Sequence, residues 1–285
     1  MSNTIESQIF RRVFKTPGVR FSVSSRHVRP KISIIDYLKI FYMYLDIHQI
    51  ESVFGSTIFP SRLYGGRPFQ PNRSLTDLHI RELEERGINI SLTLTNHYFD
   101  EDAYNHTREL LERHHKAGNS VICVNDELAG RIKRDFPGYI LKASIVKQID
   151  TIKKVERYLE LYDLVVLPMD KNDDDAFLRG IKEKERVILF GNANCAYTCP
   201  ARSCYLMISQ REAGKPVTAA CSRKQIPRLE MGNVYFDIKK FKEMGFSHFK
   251  LVPLSPGRAN HALRYFNQKR NRGERGEMTG GGKKK

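Results

Sequence analysis

Cys195, Cys199, Cys204 and Cys221 lie within a 27-residue window and are four of only five cysteines in a chain of 285 residues. Their spacing, Cys-x3-Cys-x4-Cys-x16-Cys, begins just after the apolar run VILF, which reads as a buried β-strand. Four thiolates suit tetrahedral zinc or an iron–sulfur cluster. The pattern lacks the paired Cys-x2-Cys knuckles of most zinc ribbons and the tight Cys-x3-Cys-x2-Cys run of radical-SAM enzymes. Soft sulfur ligands point to a bound metal centre, a [4Fe–4S] cluster ahead of Zn. Disulfides and separately buried thiols are the competing readings. The fifth cysteine, Cys123, sits inside SVICVND and reads as a small buried thiol.

Compartment bears on that choice. Arg11, Arg12 and Lys15 are followed by no apolar run of the kind a secretory signal carries. No stretch approaches the roughly 18 apolar residues of a membrane span. The expectation is a cytoplasmic protein with no membrane partner, whose odd cysteine count argues against a disulfide framework and leaves the thiols reduced.

The formal charge of +16 is unevenly placed: residues 1–31 carry +6 and residues 258–285 carry +7, leaving +3 for the 226 residues between. Basic arms of this kind hold RNA, DNA or an acidic protein surface through charge, contacting phosphates rather than base edges. A solvated tail that aids solubility is the bland alternative. The last stretch, NQKRNRGERGEMTGGGKKK, is nearly devoid of apolar residues and reads as disordered.

The elements that must position the cysteines follow a regular rhythm. IESVFGS, INISLTLTN, SVICVND, YILKASIV, DLVVLPMD, RVILFGN and HFKLVPL read as strands. SLTDLHIRELEERG reads as a helix ended by Gly87, and residues 102–117 as a helix stopped at Gly118. ELAGRIKRDF, TIKKVERYLELY, DDAFLRGIKEKE, IKKFKEMG and ANHALRYFNQ are further helices. About seven strands, each about 20 to 30 residues from the next until the cysteines, imply a parallel sheet with helices outside. No glycine-rich dinucleotide loop follows the first of them.

The fold class expected is therefore α/β, a (β/α)8-type, TIM-like barrel, complete or incomplete. It divides into a basic arm plus apolar helix over 1–44, a barrel over 45–267 with the metal centre at 195–221, and a disordered basic tail over 268–285. The apolar segment 34–47 reads as a helix that plugs or flanks the barrel.

In such a barrel the loops after the strands form the active face. Asn96 and His97, Asn125 and Asp126, Ser144 and Lys147, Asp170, Asn192 and Asn194 with Cys195, and Lys250, Ser255 and Arg258 stand at or near strand ends. Singly, each is a helix cap or turn former more often than a catalytic group, and Asp126 and Asp170 are well placed as caps. Together they line one mouth suited to an oxygen-rich or anionic ligand, walled on one side by the cysteines. Asn96, His97, Asn125, Ser144, Lys147 and Asn192 are the substrate-binding candidates.

At GNANCAYTCPARSCY and MGFSHFKLVPLSPGR the chain resembles the U32 peptidase-like, or collagenase-like, proteins. The first run supplies Asn192, Cys195, Cys199, Pro200 and Arg202; the second supplies Gly245, Lys250, Gly257 and Arg258, with a longer stretch after Lys250 than is usual there. The resemblance covers roughly residues 48–265. It implies a (β/α) barrel in which Cys195, Cys199, Cys204 and Cys221 hold a [4Fe–4S] cluster. It also implies oxygen-independent hydroxylation, as in relatives acting on ribosomal or transfer RNA bases or on the ubiquinone ring, rather than proteolysis.

Three functions are expected in turn. The first is an RNA- or DNA-base hydroxylase with Asp170, Lys250 and Arg258 as catalytic candidates, the last two binding an anionic co-substrate or phosphate. The second is a non-catalytic member of a nucleic-acid or protein assembly, with the metal as a structural staple. The third, a small-molecule aromatic hydroxylase, leaves the basic arms without a purpose. No Ser/His/Asp set or His-Glu-x2-His motif supports a protease.

Overall fold

Alternation in RFSVS sets how the barrel closes. Strand β1 (Arg20–Ser24) turns Phe21 and Val23 one way and Ser22 and Ser24 the other, all four buried. It pairs in parallel with both the last strand and the second, so it is the staple between the two ends of the sheet. The computed structural model describes residues 16–65, 69–193, 196–197, 199, 202–217 and 234–253. The arm residues before 16, the tail after 253 and the helix expected over 259–268 lie outside them.

The other barrel strands are β2 (Ile50–Gly55), β3 (Asn89–Leu94), β4 (Ser120–Cys123), β5 (Ile140–Ala143), β6 (Leu164–Val166), β7 (Val187–Phe190) and, past a short excursion, β10 (His248–Leu251). Their order, β1-β10-β7-β6-β5-β4-β3-β2, is a closed eight-stranded parallel barrel. The seven strands expected are present. The eighth comes from the segment assigned to the basic arm, so the barrel starts near residue 20 rather than 45. Short polar-faced RFSVS, beside Arg20, carries little of the apolar continuity that marks the other strands.

Helices α1 (Ile34–Phe41), α2 (Asp77–Glu84), α3 (Glu101–Arg113), α4 (Asp126–Asp135), α5 (Ile152–Leu159) and α6 (Asp175–Gly180) follow β1 to β6 in turn. The apolar segment 34–47 is thus the ordinary outer helix of the first βα unit, not a plug. It packs through Ile34, Ile35, Tyr37 and Leu38, and the Tyr37 and Tyr42 hydroxyls both donate to the Ser24 carbonyl, at 2.5 and 2.8 Å. Side chains of Ser33, Thr76, Asp100, Asn125, Thr151 and Asp174 accept a backbone N–H at these helix starts, which is why polar residues cluster after the strands. The α3 helix ends at Arg113 rather than 117, and the α6 helix is six residues long, with the rest of DDAFLRGIKEKE relaxing into a turn. Gly87 and Gly118 have φ of +66° and +89°: the first closes the end of α2, and the second makes the turn from α3 into β4.

Between β7 and β10 the chain leaves the barrel. Strands β8 (Asn192–Ala193) and β9 (Val234–Tyr235) form a two-stranded antiparallel ribbon, and the cysteine segment is the loop of that ribbon. Helix α7 (Cys204–Glu212) lies within it, and α8 (Ile238–Glu243) returns the chain to β10. Among the described residues no helix is long and apolar enough to cross a membrane.

Candidate metal centre and barrel mouth

The cysteine segment is tied across the carboxy-terminal ends of three barrel strands. Arg202 makes two of the ties: Nη1 donates to Gln148 Oε1 at 2.8 Å after β5, and Nη2 pairs with Asp170 Oδ2 at 2.8 Å after β6. Ser209 of α7 makes another, its hydroxyl 3.1 Å from His97 Nδ1 after β3. Tyr197 donates to Asp173, and the Lys215 ammonium lies 4.1 Å from the ring centroid of Tyr98. The described residues Tyr197, Arg202, Ser209 and Lys215 thus lie against the loops after β3, β5 and β6.

Within that wall the Arg202 N–H donates to Cys199 Sγ at 3.4 Å, and Cys204 opens α7. A backbone N–H on one sulfur and a helix amino-terminus at another both favour negative charge, as metal-bound thiolates carry. Arg202 reaches this position with φ +45°, an uncommon backbone for a residue with a side chain. Cys195 and Cys221 lie outside the described residues. Among the described residues no group of three or more His, Cys, Asp or Glu side chains converges as a metal site. Cys123 is separate, wholly buried on β4, its thiol pushed up to about 12 by burial.

Most of the substrate-binding candidates make internal bonds. Asn96 accepts from Tyr98 N at 3.0 Å and donates to Arg62 O at 2.8 Å. Asn125 caps α4, accepting from Leu128 N at 2.9 Å, and donates to His97 O at 3.2 Å. The neighbouring Asp126, which looked like the cap, instead accepts from Lys147 Nζ at 2.7 Å and from the Tyr162 hydroxyl at 2.8 Å. Lys147 also donates to Val124 O at 2.6 Å and lies 4.5 Å from the Tyr158 ring centroid, which leaves the ammonium surrounded. Ser144 accepts from Val146 N at 3.3 Å, capping a 3₁₀ turn. His97 is held towards its neutral form by burial and by the Lys147 charge.

Asn192 acts as a strand mimic, its amide accepting from Val252 N and donating to Val252 O, both at 2.9 Å. It anchors the ribbon that carries the cysteines to the end of β10. Asn192→Ala is expected to lower stability by about 2–3 kcal/mol, since two buried backbone groups lose their partner. Thermal denaturation of the full chain checks this, and an unchanged midpoint would show that the anchor is dispensable.

Asp170 lies in the 3₁₀ turn Met169–Asp173 and caps no helix; its Oδ1 is buried without a partner among the described residues. Lys250 projects into the barrel rather than towards the rim. Arg258, Ser255 and Asn194 lie outside the described residues.

The barrel interior holds what sequence reasoning missed. Ser22 and Ser52 hydroxyls are 2.8 Å apart, Ser91 donates to Ser52 at 3.3 Å, and Ser91 and Ser120 are 2.5 Å apart. Lys142 on β5 reaches across β4 to Ser91 Oγ at 3.4 Å, and Lys250 reaches across β1 to lie 4.0 Å from the Phe54 ring centroid. Contacts that skip a strand are made only across the inside of a barrel. The signal was a lysine flanked by apolar residues in ILKA and HFKL, with serine on alternate positions of its neighbours.

The chain is similar to the solved structure of the U32 peptidase Mk0906, at a TM-score of 0.53 over 85% of this chain and 96% of that one. The two chains share a barrel fold. At 12% identity the likeness is one of fold. No family model and no curated protein matches the chain.

Proposed function

We propose that this chain is a metal-dependent barrel enzyme acting on nucleic acid, an RNA (or DNA) base hydroxylase of U32-like type. The docking of the cysteine segment onto the loops after β3, β5 and β6 carries the proposal. It puts Cys199 and Cys204, two of the four candidate ligands, beside the face where barrels take their substrates. Cys195, Cys199, Cys204 and Cys221 would hold the centre, and the N–H on Cys199 Sγ together with four soft donors fits a [4Fe–4S] cluster or zinc. A bound cluster supplies one-electron chemistry there.

The remaining work falls to the chain's own side chains. Arg202 neutralises one oxygen of Asp170 and orients the carboxylate, whose other oxygen stays available to accept an N–H. His97, neutral and tied to Ser209, fixes the far side of the mouth. The formal charge of +16, of which residues 258–285 carry +7, supports a polyanionic substrate.

A second reading, an assembly protein stapled by zinc, is favoured by the way Arg202 and Ser209 join three loops of the barrel. One experiment separates the two. RNA from cells that make the full chain, which supply the oxygen donor and the two-electron acceptor that hydroxylation requires, is digested and its nucleosides are weighed, and metal and sulfide are analysed on the chain purified without oxygen. A nucleoside heavier by one oxygen atom, absent with Cys199→Ser, is the expected result. Zinc without sulfide and unaltered nucleosides would overturn the hydroxylase in favour of the staple. Deleting residues 268–285 is expected to weaken RNA binding and flatten its salt dependence; unchanged affinity would remove the tail from the interface.

A further inference from the structure

Among the described residues, the interior of the barrel holds two lysines, and no carboxylate lies within ion-pair distance of either. Lys250 is 7% exposed and Lys142 is 3% exposed, and the Lys142 charge on β5 acts on Lys250 on β10. Lys142 has Ser91 Oγ at 3.4 Å. The Lys250 ammonium has no hydrogen-bond acceptor among the described residues and lies over the Phe54 ring, with Ser22 its neighbour in the β1 register. The Glu51 carboxylate, whose charge acts on Lys142, is engaged at the other end of the strands, 3.2 Å from Arg20 Nη1 and 3.8 Å from His248 Nε2. His248 is held neutral by burial, at about 4. Structural lysines are paired when buried; this one is not.

We propose that Lys250 is an imine-forming nucleophile for a small carbonyl compound that carries a carboxylate, such as a 2-oxo acid. A lysine becomes nucleophilic when it is desolvated and set beside another cation, because both disfavour its protonated form. Burial and Lys142 act on Lys250 in that sense and bring it down to about 7, so half the amine is unprotonated near neutral pH. Its lone pair adds to the carbonyl carbon. The carbonyl oxygen leaves as water with the two amine hydrogens, and a C=N bond remains, so no oxidant or reductant is consumed. Lys142, held at Ser91 on the linked serine hydroxyls of the interior, supplies a positive charge for the carboxylate. Lys250 sits one residue from the end of β10, on the mouth side of the interior. This site is independent of the cysteine centre and of the nucleic-acid reading.

Glyoxylate with borohydride tests the assignment on the full chain. Reduction converts any imine to a stable secondary amine, which peptide mass mapping locates. Labelling is expected to fall mainly on Lys250, to be lost in Lys250→Arg, and to rise with pH through a midpoint near 7. Surface lysines would titrate near 10. Lys142→Met is expected to slow labelling by glyoxylate at least tenfold more than labelling by uncharged glycolaldehyde. The pH midpoint is read on the unsubstituted chain, so the test holds even where a variant does not fold. Labelling scattered over exposed lysines, with a midpoint near 10, would overturn the proposal.

Discussion

Cys199→Ser and Cys204→Ser are each expected to yield protein stripped of its metal. The unsubstituted chain, purified without oxygen, should carry about four iron and four acid-labile sulfide per chain, with a broad absorption band near ~400 nm. Serine keeps the volume but offers a harder, protonated oxygen, and a cluster missing one of its four thiolates is not retained. The destabilisation should be large, because the segment from 196 to 217 is joined to the barrel only by side-chain ties such as Arg202–Asp170 and Ser209–His97 among the described residues. Cys123→Ser is the control. That thiol is wholly buried on β4, and its replacement should leave metal per folded chain unchanged. Metal and sulfide analysis of the three variants decides the matter. Full metal content in Cys199→Ser and Cys204→Ser would exclude these thiols as ligands. One zinc and no sulfide in the unsubstituted chain would give the staple reading.

Lys250→Met is expected to stabilise the fold at neutral and acid pH and to do nothing for it at high pH. The folded state holds Lys250 down to about 7, through burial first and the Lys142 charge second, while the unfolded chain has the ordinary value near ~10.4. Below pH 7 both states are protonated, and the folded state bears the whole cost of a buried, unpaired ammonium. Between 7 and about 10.4 the unfolded chain binds the extra proton, so stability rises with pH. Above that window the amine is neutral in both states and the penalty vanishes. A shift of this size corresponds to at most about 5 kcal/mol. Methionine matches the length of the lysine stem and has no charge to bury. Denaturant unfolding of both proteins at pH 6 and pH 10 reads the difference directly. Equal gains at the two pH values would place the cause in packing rather than charge. A destabilised Lys250→Met at pH 6 would mean that the ammonium has a partner in the folded protein. A lysine that weakens its own fold is retained for what it does, which is the connection between this measurement and imine chemistry.

The architecture was legible where local physics determines it. Continuous apolar runs such as VILF and SVIC mark strands covered on both faces, and capping side chains mark where helices begin, with left-handed glycines at 87 and 118 in the turns after them. RFSVS escaped because its inward positions are serines and its neighbours are basic. Its place as the closing strand depends on partners 30 and more residues away. Likewise ILKA and HFKL read as strands, yet nothing local says that their lysines share the inside of a barrel.

For the site, residue type and spacing alone made the cysteines a metal candidate and set them after β7. Polar residues at strand ends were equally legible as a class. Only the tertiary structure sorted them, binding Asn125, Ser144, Lys147 and Asn192 into caps and clamps and leaving Asp170 Oδ1 without a partner among the described residues. The sequence by itself determined a parallel α/β barrel with a four-cysteine segment, because periodicity, capping and thiol spacing are properties of neighbouring residues. What Lys142 and Lys250 face, and where the cysteine loop rests, was decided by closure of the barrel. Charge burial and across-barrel contacts exist only once distant strands are brought together.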